Sequence, residues 1–185
     1  AGSGKTRSLV KALQQIRSSK TQEYRKSRRQ VGVITFTNKA CDEIKRRLEY
    51  EPLFAVSTIH SFAWSLISGL NEDIRTWLRE HLGDEIAELE DKERRGRPGT
   101  KASEDRLQAI ASKKAKLVTL DQIKVFIYNP DGDNPERNAL NHSEVIKITA
   151  TFLSEKPLMQ KMLVKRYPIL LVDESQDTEK ALIEA

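Results

Sequence analysis

Two short runs at opposite ends of the chain carry the residue types that phosphate chemistry needs. The first is Ala1-Gly-Ser-Gly-Lys-Thr6. Gly4-Lys5-Thr6 is the second half of the phosphate-loop pattern G-x-x-x-x-G-K-[ST]. The first glycine of that pattern would lie two residues before Ala1. Glycines let backbone N–H groups approach phosphate oxygens with no Cβ in the way. A helix opening directly behind the loop adds its positive dipole end. Gly2, Ser3 and Gly4 would line the cradle, Lys5 would reach the β- and γ-phosphates, and Thr6 would offer its hydroxyl to Mg2+. The competing reading is a glycine turn with an incidental lysine. The second run, Ile169-Leu-Leu-Val-Asp-Glu174, is a hydrophobic strand ending in two acids. Asp173 would hold the magnesium, directly or through water. Glu174 would orient or deprotonate the attacking water. An ordinary strand with an acidic turn is the alternative, and the two matched halves in the right order weigh against it.

These residues need a scaffold that brings both ends of the chain together. Leu9, Val10, Leu13 and Ile16 recur at helical spacing and predict a helix from Thr6 to about Arg17. Ser18 to Gln30 is polar and basic and reads as a loop. Val31-Gly-Val-Ile-Thr-Phe36 has the look of a buried parallel strand. Asn38 caps a helix over Lys39 to Leu48. Ala55 to Ile59 is a second strand, followed by a helix from Ser61 to Ser68 closed by Gly69.

Near residue 70 the texture changes. Ile74, Trp77, Leu78 and Leu82 predict an amphipathic helix ending at Gly83, then a charged helix from Glu85 to Arg95 stopped by Gly96-Arg-Pro-Gly99. Ser103 to Leu117 is a further helix. Asp121 to Tyr128 is ambiguous between strand and helix, and Asn129 to Pro135 is a turn region. Ser143 to Leu153 and Pro157 to about Arg166 are helical, and Pro168 to Val172 is a strand. The expectation is an α/β phosphate-loop core, a parallel sheet flanked by helices. It is built from residues 1–69 and 142–185 and interrupted by a mainly helical insertion over 70–141.

Composition limits the alternatives. The chain has 185 residues, 32 Lys+Arg against 27 Asp+Glu, and 38% hydrophobic residues, enough for a core. No apolar run approaches the ~18 residues that span a bilayer, and the expected location is cytoplasmic, with no membrane partner. Cys41 is the one cysteine, so neither a disulfide framework nor a Cys-based zinc site can form. Residues 1–50 hold 13 Lys+Arg against 4 Asp+Glu, a balance that fits a polyanion partner or a solvated surface. Arg94-Arg-Gly-Arg97 and Lys113-Lys-Ala-Lys116 read as solvated faces. Trp64 and Trp77 read as core residues.

Leu171-Val-Asp-Glu-Ser-Gln-Asp-Thr178 resembles helicase motif II of the UvrD/Rep/PcrA group of superfamily 1. Thr35-Phe-Thr-Asn-Lys-Ala40 resembles the motif Ia of that group, and Thr58-Ile-His-Ser-Phe62 resembles its next motif. With the phosphate loop, four motifs stand in family order. The resemblance implies a RecA-like fold and an ATP- and Mg2+-dependent translocase that unwinds duplex, usually 3′→5′ along single-stranded DNA. It implies that Arg7 lies near the base or ribose, and that Gln176 senses the γ-phosphate or couples it to DNA. It places Thr35, Phe36, Thr37, Asn38, Lys39, His60, Ser61 and Phe62 along the DNA track. Aromatic rings there would stack on bases, and the polar groups would meet phosphates. Periodicity alone would put Phe36 in the core and make His60 a capping residue.

In this family the phosphate loop follows a first strand, and a glutamine motif reads adenine. A second RecA-like domain closes over ATP. None of these lies in residues 1–185, so the sequence reads as a motor fragment with weak or no activity alone. Single-stranded DNA, single/double-strand junctions and the second domain are the expected partners. The alternatives are the helicase part of a RecB/AddA-like helicase–nuclease and a DNA-binding module inactive as a motor. A phosphate-loop kinase has no use for the motif Ia or motif II residues.

Overall fold

The computed structural model describes residues 4–173, with side chains from residue 8 onward. The chain divides into two compact units, Ala1–Leu66 with His142–Ala185, and Ile67–Asn141. The expected first boundary lay three residues later, at 69/70.

The first unit is built on a three-stranded sheet. Helix α1 (Gly4–Ser27) leads to β1 (Val31–Thr35), α2 (Asn38–Arg47), β2 (Phe54–Thr58) and α3 (Ile59–Ile67). The chain returns through α6 (His142–Glu155), α7 (Pro157–Arg166) and β3 (Ile169–Val172). The strand order is β2-β1-β3, and β1 pairs in parallel with both neighbours. Val31 and Val33 sit in register with Phe54 and Val56 on one side, and with Ile169 and Leu171 on the other. Residues two apart on a strand share a face, so these side chains form one apolar surface. Val10, Leu13 and Tyr24 of α1 and Cys41 and Ile44 of α2, with Leu48 just beyond it, pack against that surface. Burying each aliphatic side chain of this kind stabilises the fold by roughly 1.5–3 kcal/mol.

Gly32 faces the other way. A Cβ added there would meet Leu170 Cδ1 at 2.4 Å and the Tyr167 ring at 3.5 Å. The Tyr167 ring in turn packs against Phe62, centroid to centroid 5.7 Å. Thr149 on α6 is fully buried, and its hydroxyl donates to Val145 O at 2.8 Å and approaches Ala63 O at 3.3 Å, which links α6 to α3.

In the second unit, α4 (Asn71–Arg95) and α5 (Lys101–Thr119) form a helical hairpin, followed by a short 3-10 helix at Leu120–Gln122. Ile74, Leu78, Leu82 and Ile86 recur every four residues, and all are buried. Thr100 accepts a bond from Ser103 N and caps α5. Ion pairs Lys113–Glu85 (2.7 Å), Lys114–Glu90 (2.6 Å) and Arg106–Glu93 (2.7 Å) join the two helices.

Several expectations are corrected. The stretch 18–30 is helical as far as Ser27, because the inward stripe continues to Tyr24, which is buried. Arg17 and Arg25 also tie this half of α1 to Glu49 and Glu51 at 3.1 and 2.9 Å. The helix stops where Arg28 turns to a positive φ of 54°. Gly83 ends nothing: its Cβ position is open, and α4 runs through it. A mid-helix glycine costs about 1 kcal/mol, less than the four buried aliphatics contribute. Thr37, not Asn38, caps α2. Segment 121–128 is neither α-helix nor ladder strand: Asp121 and Gln122 lie in the 3-10 turn, Lys124 and Val125 bend, and one bridge joins Ile127 to Ala139. Trp64 and Trp77 are half-buried rather than core, and Trp77 stacks on His81 at 4.4 Å.

Candidate functional site

Parallel α/β sheets bind ligands beyond the carboxyl ends of their strands. Three chain exits meet at that edge. Strand β1 ends at Thr35, level with Thr58 at the end of β2. Strand β3 ends at Val172, level with Ile34, and Asp173 N donates to Ile34 O at 2.8 Å. Asp173 therefore follows the ladder directly and is half-buried.

The first exit turn exposes what the second holds in. Phe36 is 46% exposed, and Thr37, Asn38 and Lys39 beside it are exposed. The Thr37 hydroxyl accepts from Ala40 N at 3.2 Å, which fixes the start of α2. At the β2 exit, Thr58 Oγ1 donates to Ser61 Oγ at 2.9 Å and accepts from Ser61 N at 3.3 Å. Thr58 thus pins the start of α3; the Thr-x-x-Ser spacing signals this cap, but Thr58 was not among the expected site residues. His60 and Ser61 are half-buried there. The His60 ring meets His142, the first residue of α6, edge to face at 5.1 Å.

Two expected DNA contacts are corrected. Phe62 is 7% exposed and packs on Tyr167, so its ring lies in the core. Thr35 is 2% exposed; its hydroxyl bonds Thr37 O at 3.1 Å and Cys41 Sγ at 3.0 Å, which occupies it inside the protein. Phe36 goes the other way from its periodicity: it stands outside the core.

Of the phosphate-loop residues, Gly4, Lys5, Thr6 and Arg7 form the first turn of α1. Their side chains, and Gly2, Ser3, Glu174 and Gln176 altogether, lie outside the described residues. The short link 28–30 returns the chain from α1 to β1, and both pack in one core. Helix α1 therefore runs antiparallel to β1, and its N-terminus points toward the carboxyl edge, the end that attracts anions. Among the described residues no group of three or more His, Cys, Asp or Glu gathers to hold a metal. None of their helices is long and apolar enough to cross a membrane.

A parallel sheet flanked by helices, with a G-K-T helix start and an acid at a strand end, defines an α/β domain of the phosphate-loop NTPase type. The chain belongs to the AAA domain family, whose pattern matches residues 1–185, a phosphate-loop family of superfamily 1 helicase-like character. It is also similar to Gabija protein GajB of Bacillus cereus (strain HuB5-5), at 32% identity over 129 residues. That match takes in 70% of this chain and 19% of GajB, so the chain spans about a fifth of that relative's length. Together these findings support a nucleotide-binding domain of the phosphate-loop NTPase type.

Proposed function

We propose that the chain is the ATP-binding first motor domain of a UvrD/Rep/PcrA-type DNA helicase, one that moves 3′→5′ on single-stranded DNA in the cytoplasm. The observation that carries this reading is the shared edge: Asp173, the exposed Phe36–Lys39 turn and the Thr58–Ser61 turn leave parallel strands at one end of the sheet. Nucleotide hydrolysis at one end of that edge can then move a strand held at the other.

In this reading Gly2, Ser3, Gly4 and Lys5 hold the phosphates of ATP, and Arg7 lies toward the base. Thr6 and Asp173 hold Mg2+; a hydroxyl and a carboxylate are the hard oxygen donors that this ion takes. The ion, when bound, neutralises charge on the transferred phosphoryl group. Glu174 takes the proton of the attacking water, and Gln176 couples the γ-phosphate to DNA. Phe36 stacks on bases, while Thr37, Asn38, Lys39, His60 and Ser61 meet the backbone. Residues 70–141 form the accessory insertion, and the partners of the protein are single-stranded DNA and single/double-strand junctions. A second RecA-like domain completes the ATP site.

Mg·ATP binding to the chain, and DNA-stimulated ATP turnover in the full-length protein, test the reading. Lys5→Ala should remove turnover while nucleotide-free DNA binding largely remains. Glu174→Gln should bind ATP and fail to hydrolyse it. Near-normal turnover in Lys5→Ala is incompatible with the proposal.

A further inference from the structure

A pocket of about 390 Å³ lies in the second unit, between the end of α5 and the segment around Asn138. Ile123 and Val125 give it an apolar side; Val125 is 56% exposed. Gln122 and Asn138 bring amides, and Lys124 and Arg137 bring two cations. From these groups we infer that the pocket binds a nucleotide unit, a phosphate group joined to a flat, largely apolar base.

Three observations carry the inference. First, the charge is uncommitted. Several basic residues of α4 and α5 in the same unit pair with acids, as Arg79 does with Asp121 and Lys113 with Glu85. Lys124 and Arg137 have no carboxylate within 4.0 Å among the described residues. Free cations on one pocket attract phosphate without first having to release an internal partner.

Second, the walls are fixed. Arg75 donates Nε to Leu120 O at 3.2 Å and Nη2 to Ile123 O. Asn138 Nδ2 donates to Val125 O at 2.9 Å, and Ile127 N donates to Asn138 O at 3.1 Å. Phe126 N donates to Asn71 Oδ1 at 2.9 Å. The segment that carries Lys124 and Val125 is therefore tied to α4 on one side and to the turn at Asn138 on the other. A site held in place before binding loses less entropy when it binds.

Third, the size and lining suit one mononucleotide. Small-molecule pockets run from about 300 to 1,000 Å³ and combine apolar walls with a few placed polar groups. The nucleotide can be free or part of a single strand, since both present the same phosphate and base. All of its lining residues belong to the second unit, and the inference does not depend on the motor reading.

The test uses the 15N-labelled chain, with AMP and tetrathymidylate as probes and backbone amide shifts as the readout. Saturable shifts at Val125 and Asn138 are expected. Shifts with AMP identify a free nucleotide as a sufficient ligand; shifts with tetrathymidylate alone identify a strand. The double variant Lys124→Gln/Arg137→Gln should weaken the probe at least tenfold there. Both side chains are exposed, and an unchanged circular dichroism spectrum verifies the fold. Shifts at the sheet edge report the other site and remain distinguishable. No shift at Val125 and Asn138 with either probe, or unaltered affinity in the double variant, overturns the inference.

Discussion

Asp173 N donates to Ile34 O at 2.8 Å, one residue past the last register pair between β3 and β1, Ile34 with Val172. Backbone therefore sets the position of Asp173, and its carboxylate is free of that duty. Asp173→Asn should leave the thermal midpoint of the chain nearly unchanged, within the roughly ±0.5 kcal/mol of most surface substitutions. Under the proposed reading it should still abolish the dependence of ATP affinity on Mg2+. Titration of labelled ATP with and without the metal reads this, and a retained metal dependence would remove Asp173 from the ion.

The two phenylalanines of the DNA motifs should part company. Phe36→Ala should leave stability almost unaltered and weaken single-strand binding by roughly 5- to 150-fold, the range that about 1–3 kcal/mol of stacking implies. Phe62→Ala removes a buried ring that packs on Tyr167 and should destabilise by about 3–5 kcal/mol. Denaturant melts of both variants, with anisotropy titrations of oligo(dT), separate the roles. Equal loss of stability in the two would contradict the exposure of Phe36.

Gly32 occupies the central strand with Leu170 Cδ1 only 2.4 Å from where a Cβ would stand. That atom ends a flexible side chain that is 39% exposed, so it can swing aside. Gly32→Ala is expected to cost about 1–3 kcal/mol, the ordinary range for an overpacked site. Gly32→Val should cost more, because a branched Cβ also reaches the Tyr167 ring. A urea series across the two variants checks the order.

Acid should weaken the contact between α1 and the turn after α2. Arg25 bonds Glu51 at 2.9 Å and, with Leu53 N and Arg17 also near, holds the Glu51 carboxyl below the usual range. A lowered folded pKa gives stability that is present above the unfolded value of about 4.3 and is lost as pH falls through the folded one. Glu51→Gln should therefore flatten the loss of stability below about pH 4.5. Midpoints measured from pH 7 down to 3 would show it; an unchanged acid slope would dismiss the pair.

Alkali acts on Tyr128 in the second unit. Burial, aided by the charge of Asp131, pushes its hydroxyl up to about 12. The folded state then favours the neutral phenol, so its contribution is complete below pH 10 and declines as pH rises toward 12. Tyrosinate absorbance should show a late step that Tyr128→Phe removes.

Much of this was readable in the sequence because local rules and tertiary demands agreed. Pro157 begins α7 and a run of four aliphatics forms β3, as their residue types dictate. Other elements depended on distant partners. Tyr24 extends α1 because a core waits for it, and the polar residues around it gave no sign of that. Phe62 lies in a motif that resembles a DNA contact, yet its ring meets Tyr167, far along the chain. Whether an aromatic faces in or out depends on that partner, which no local pattern announces.

The strand order β2-β1-β3 also has a bearing on how the chain folds. Strands β1 and β2 are joined through the single crossover helix α2, so their ladder closes a short loop. The β1–β3 ladder must close a loop that contains all of Ile67–Asn141. Loop entropy grows only with the logarithm of length, so this late pairing costs little in stability. It costs more in speed, because contacts distant in sequence form slowly. The continuous stretch 67–141, closed by local helical contacts, can become ordered before β3 docks. Stopped-flow refolding should then show helical signal ahead of the packing of Tyr167 on the sheet, with the Asp173 end of the site assembled last.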